Sequence, residues 1–178
     1  MTDEELLALY DRSLVDVHRA ASRLCGGDRA ATEELVQDTY LALVRHCREH
    51  PGDEVGVGWL VTTCRNRFID LHRADRRRQR REAVAGAVGV ATGPGPHDAT
   101  GASGAAGAAA DDLLARLAAL PPLQRAALVL RYGDDLPVGE VARIVGKSVH
   151  ATESLLARGR SALRATSTNA TTTTEEPG

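Results

Sequence analysis

Three groupings of side chains in this 178-residue sequence could do chemistry. The densest is basic: five of the six residues 76–81 are arginine, and on a helix Arg65, Arg73, Arg76 and Arg80 project on one side, away from Leu60, Cys64, Phe68 and Leu71. A guanidinium donates in pairs from a planar fork and so suits phosphate, and Asn66 in the same run can both donate to and accept from a base edge. The second grouping is a helix-turn-helix pattern. Pro137 opens a short segment carrying Val138, Val141, Ala142 and Val145, Gly146 turns the chain, and Ser148 caps a segment in which Val149, Thr152, Leu156, Gly159 and Leu163 face inward. That arrangement offers its second helix to a DNA major groove. The third grouping, His46, Cys47 and His50, has the spacing of metal ligands only superficially, because Cys47 falls on an apolar stripe and a zinc site needs three or four convergent ligands. No Gly-rich phosphate loop or Ser/His/Asp set stands in a recognisable context, so no catalytic residue, metal or cofactor is expected.

The elements that position these groups are predicted to be helices. Aromatic residues make up only 3% of the chain, so a core must come from Leu, Val and Ala, which suits small helical bundles better than β-sandwiches. Three cysteines, odd in number and without a C-x-x-C pair, fit a reducing cytosol. The acidic start and the absence of a long apolar run predict neither a signal peptide nor a membrane span, hence a cytoplasmic protein. The net charge of −2 conceals a partition: residues 1–64 carry −6 and residues 65–82 carry +5. A basic stripe in a mildly acidic protein indicates a local polyanion contact.

Residues 83–110 mark the clearest boundary, since 18 of those 28 residues are Gly or Ala and none is Leu, Ile or aromatic. The expected organisation is therefore all-α: a helical unit over residues 1–82, a flexible linker over 83–110, a helical unit over 111–165 and a disordered tail over 166–178. In the first unit Leu6, Tyr10, Leu14, Val17, Ala21 and Leu24 fall at helical spacing. A second helix, capped by Asp28, is expected to bury Val36, Tyr40, Leu43, Val44 and Cys47 and to turn Glu34, Gln37, Asp38, Leu41 and Arg45 outward. Such a charged face is ordinarily just solvated, but Leu41 in its middle keeps a partner surface in play. In the second unit Leu123, Ala126, Ala127 and Leu130 mark a supporting helix.

The segments ATEELVQDTYLALVRH, WLVTTCRNRFIDLHRADRRR and LPPLQRAALVLRYGDDLPVGEVARIVGKSVHATESLLARGRSALR, in that order and spacing, resemble a bacterial RNA polymerase sigma factor of the extracytoplasmic-function type. The resemblance covers about 150 residues. It implies a region-two bundle over residues 1–82, binding core polymerase and the −10 element, and a region-four helix-turn-helix over 111–165, binding the −35 element. By position it assigns Glu34, Gln37, Asp38 and Leu41 to the clamp helices of the polymerase largest subunit. It assigns Arg65, Asn66, Arg67, Asp70 and Arg73, with Arg76 and Arg77 of the basic run, to −10 DNA, and gives Trp59 a supporting role. Residues 50–58 occupy the place where relatives capture a flipped base. Core polymerase and promoter DNA are the implied partners, and many relatives also have an anti-sigma factor.

Two departures stand out. No aromatic side chain is expected in the 50–58 loop to form a stacking platform. In the last helix, where relatives often read G-T-V-K-S-R, this chain has His150, Ala151, Thr152, Glu153, Ser154 and Leu155, which shifts the expected −35 contact to Lys147, Ser148, His150, Ser154, Arg158 and Arg160. The alternative reading is a stand-alone helix-turn-helix transcriptional regulator, which accounts for residues 111–165 and leaves the first 80 without a purpose.

Overall fold

The computed structural model describes residues 2–84 and 105–171, and every regular element among them is helical. The chain divides into two compact units, Met1–Gly101 and Ala102–Gly178.

The first unit holds α1 (Asp3–Cys25), α2 (Arg29–Glu49) and α3 (Val57–Val84), each packed on the other two. Local chemistry sets the ends. The Thr2 hydroxyl accepts the Glu5 N–H at 3.2 Å while the Glu5 carboxylate accepts the Thr2 N–H at 2.7 Å, a reciprocal cap that also holds the Glu5 carboxyl below its usual pKa. Gly26 ends α1 at φ 68°, a left-handed conformation that glycine adopts without a Cβ clash, and Asp28 caps α2 by accepting the Ala31 N–H at 3.0 Å. A connection this short folds α2 back beside α1.

Leu9, Val17, Ala21, Leu24, Leu35, Leu43, Leu60, Cys64 and Ile69 are essentially removed from water. The buried stripe of α2 differs from the expected one: Thr32, Leu35, Thr39, Ala42 and Leu43 are buried, and Val36, Tyr40, Val44 and Cys47 are half-buried. The threonines explain the rotation, because each satisfies its hydroxyl on its own helix, Thr39 on the Leu35 carbonyl at 2.7 Å and Thr32 on that of Asp28. Buried Ser13 does likewise, reaching the Leu9 carbonyl at 2.6 Å and the Tyr40 hydroxyl at 2.8 Å. On α3, Leu71 is 45% exposed and Ile69 takes its place in the core. α3 packs against both α1 and α2, so its buried arc is wide and lies around Phe68 and Ile69, leaving Leu71 outside.

The second unit holds α4 (Ala105–Ala118), α5 (Pro122–Leu128), a π-helical turn Val129–Gly133, α6 (Val138–Val145) and α7 (Val149–Thr171). Leu123, Ala126, Ala127 and Leu130 of the supporting segment are buried as expected, as are Val141, Ala142 and Val145 of α6. Gly146, at φ 63°, ends α6, and Ser148 caps α7 by accepting the Ala151 N–H at 3.2 Å. Val149 departs from expectation: it is 50% exposed, while Thr152 and Leu156 face inward. α7 comes close to α5 at buried Gly159, where a Cβ would stand 2.8 Å from Leu128 Cδ1 and 3.2 Å from its Cγ.

Most of the expected linker, residues 85–104, lies outside the described residues, as do tail residues 172–178. At its margins the segment is helical: α3 runs to Val84 and α4 starts at Ala105, an alanine-rich start that the high helix propensity of Ala favours over coil. Likewise α7 continues to Thr171, past the expected end of the unit at 165, an extension of a helix already nucleated and packed. No helix among the described residues is long and apolar enough to cross a membrane.

Candidate nucleic-acid and protein interfaces

On α2, Glu34, Gln37, Leu41 and Arg45 are exposed and Asp38 is half-buried, so the five residues form one outward face on the solvent side of the bundle. None of their side chains makes a hydrogen bond or ion pair among the described residues. Leu41, 44% exposed, is an apolar centre in a polar frame.

The structure sorts the basic residues of α3 into two groups. Asn66, Asp70, Arg73 and Arg77 recur at helical spacing along one outer stripe, with Asn66, Asp70 and Arg77 exposed and Arg73 half-buried. Within it Arg73 Nη1 donates to Asp70 Oδ1 at 3.3 Å, so Asp70 steadies an arginine and lowers the net charge of the stripe. Arg76 is exposed beside it, and Arg78 pairs with Asp75 at 3.1 Å. Arg65, like Arg73, is half-buried, whereas Arg76 is exposed. Arg67 is half-buried on the opposite flank, and the side chain of Arg80 lies outside the described residues.

The 50–58 loop carries a feature that its lack of Phe, Tyr and Trp concealed. The His46 and His50 rings stack with centroids 4.6 Å apart and planes inclined by 21°, and Trp59 lies 4.8 Å from His46 on a tilt. His46 Nε2 also lies 3.2 Å from Asp53 Oδ2, and Val55 is buried in the core, so both ends of the loop are tied down. Histidines four residues apart at the end of a predicted helix, followed by Trp59 across a short loop, were the available signal. These rings stack on one another, and no group of three His, Cys, Asp or Glu side chains suited to a metal occurs among the described residues.

In the second unit Lys147, Ser148, His150, Arg158 and Arg160 are exposed around the start and outer side of α7. Ser154 is half-buried and donates to the His150 carbonyl at 3.1 Å, and Arg158 Nε donates to the Ser154 carbonyl at 3.2 Å. Arg160 Nη1 is 3.1 Å from the Tyr132 hydroxyl, and the Arg131 guanidinium sits 5.5 Å from the centre of the same ring. The expected −35 residues thus gather at the turn before α7 and along its outer side, with Ser154 alone among them half-buried.

A three-helix bundle with a basic outer stripe and a helix-turn-helix unit in one chain define a protein of the sigma-70 class, and the family models agree: Sigma-70 region 2 matches residues 9–78 and Sigma-70, region 4 matches residues 110–163. The chain belongs to the extracytoplasmic-function RNA polymerase sigma factors, DNA-binding proteins of transcription initiation. It is 28% identical over 166 residues to the ECF RNA polymerase sigma factor SigK of Mycolicibacterium vanbaalenii, covering 90% of this chain and 81% of that protein. It is 35% identical over 155 residues to SigE of Mycolicibacterium smegmatis, covering 83% of this chain and 56% of SigE. Its fold is similar to that of the sigma factor RpoE, solved in complex with the anti-sigma factor NepR from Bartonella quintana, with a TM-score of 0.51, 23% identity and coverage of 90% and 92% of the two chains.

Proposed function

We propose that this chain binds core RNA polymerase and directs it to promoters, opening the −10 duplex and initiating transcription without covalent chemistry of its own. In this reading residues 1–82 form the polymerase and −10 unit, residues 111–165 form the −35 unit, and residues 83–110 tether them. Glu34, Gln37, Asp38 and Leu41 meet the clamp helices. Arg73, Arg76 and Arg77 hold phosphates, Asn66 reads the −10 element, and Asp70 orients Arg73; Arg65 and Arg67 flank that contact. Lys147, Ser148, His150, Ser154, Arg158 and Arg160 serve the −35 element. The observation that carries the reading is the pairing, on one bundle, of an unengaged face on α2 with an arginine stripe on α3.

The His50–His46–Trp59 stack supports a base-stacking role for the loop, since any nucleobase offers a π-face to a ring. The site of action is the cytoplasm, where polymerase and promoters meet. The anti-sigma factor bound to the RpoE structure supports a partner of the same class here. Run-off transcription with core polymerase, on promoters upstream of the protein's own operon, tests the reading: transcripts that depend on this chain support it. Failure to co-purify with core polymerase would favour a stand-alone regulator.

A further inference from the structure

Two residues on the outer side of α7 have no part in the contacts proposed above, and both are unusual for a helix that meets phosphates. Val149, its first residue, is 50% exposed. Glu153, one turn further, is exposed, and its carboxylate makes no hydrogen bond or ion pair among the described residues. The residues three and four positions away are Val149, His150, Leu156 and Ala157, so no Lys or Arg neutralises it along the helix. Nor does the helix dipole account for the acid, because that effect is confined to the first turn and Glu153 lies beyond it. Its face also carries His150 and Arg160, the latter braced by Tyr132.

Base chemistry offers each residue a specific counterpart. An ionised carboxylate only accepts hydrogen bonds, so a phosphate repels it, and the major groove presents it with two amine donors, cytosine N4 and adenine N6. Adenine sets its N7 acceptor beside that amine, whereas cytosine shows no acceptor of its own there, which selects cytosine. Val149 can neither donate nor accept, and the apolar group within its reach in the groove is the thymine methyl. Residues at i and i+4 hold their Cβ atoms about 5–6 Å apart, one to two base-pair steps of ~3.4 Å. The N-terminal residues of a recognition helix are those that meet base edges, while phosphate contacts such as that expected of Arg160 set the register.

We infer that Glu153 and Val149 are specificity-determining residues of the −35 contact, Glu153 reading a cytosine through its N4 amine and Val149 a thymine methyl one or two base pairs away. This rests on α7 being the −35 helix. The test is selection of bound DNA, from a pool randomised over both the −10 and the upstream promoter regions, by core RNA polymerase carrying the full-length chain. The wild-type complex should enrich an upstream motif containing one cytosine that Glu153→Ala weakens about tenfold. Glu153→Gln should move that position toward adenine, whose N6 and N7 a carboxamide matches. Val149→Ser should weaken a thymine one or two positions away and leave the rest of the motif intact. An upstream motif that is the same for wild type, Glu153→Ala and Glu153→Gln overturns the inference while the −35 reading stands. A wild-type complex that enriches a −10 motif and no upstream motif overturns both.

Discussion

The two units are built from the same material, Leu, Val and Ala on helices, yet they hold their outer faces in different ways. In the first unit three long helices bury a broad shared core, and the faces of α2 and α3 turned to solvent take no part in it. In the second unit α5 and α6 are short, and the long α7 approaches α5 so closely that a Cβ at Gly159 would have to displace the Leu128 side chain. A face on a long, independently buried helix can change its charge without moving the helix. α7 packs on α5 and α6, and its outer face stands on a helix whose approach to α5 leaves little room at Gly159.

The sharpest way to break this comparison is to substitute glycines in both units. Gly159→Val should destabilise the second unit by about 1–3 kcal/mol through overpacking and lower protection from hydrogen exchange in α5 and α7. Gly58→Ala, near the start of α3 where a Cβ would meet nothing within 4 Å, should be neutral or stabilise by roughly 0.5–1 kcal/mol. Equal effects on thermal unfolding would show that close approach is not what separates the units.

The next largest effect is on polymerase binding. Asp38→Arg should abolish retention by immobilised core polymerase and change stability by no more than about 0.5 kcal/mol. Normal retention would remove α2 from the interface. On α3, Arg77→Ala should weaken DNA binding across sequences and flatten the log–log salt dependence by roughly one unit, whereas Asn66→Ala should change base preference within the −10 element at nearly constant salt slope. Matching sequence profiles for Asn66→Ala and wild type would count against readout by that residue.

The smallest effect is alkaline. Burial, opposed in part by the bond to Ser13, raises the Tyr40 phenol above its ordinary value of 10.0. The folded state therefore favours the protonated phenol, so its contribution is complete below the unfolded pKa and is lost as pH rises through the higher folded one. Unfolding of the first unit followed above pH 10 should show this loss, and Tyr40→Phe should remove it.

Much of the molecule was legible in the sequence because it depends on neighbours along the chain. Asp28, Gly146 and Ser148 announced their caps by residue type, since capping bonds close within three or four residues. The outward face of α2 was legible because its residues share an angle on one helix. Less legible was anything settled by a second helix. Periodicity placed Leu71 and Val149 inside and overlooked Ile69, because it assigns one stripe per helix, whereas α3 is packed by two partners at once. It left Thr39 out of the buried stripe of α2, because a hydroxyl is costly to bury until it bonds its own backbone, as Thr39 does.

The same division runs through the sites. By itself the sequence determined that the chain is helical, that positive charge concentrates in residues 65–82, and that a helix-turn-helix closes the second unit, since composition, charge and local turns need no knowledge of distant contacts. The tertiary structure alone decided which arginines of that run face outward, that His50 stacks on His46 beside Trp59, and that Arg160 leans on Tyr132. Each of those outcomes depends on where a second segment sits to within a few ångströms, and packing sets that distance.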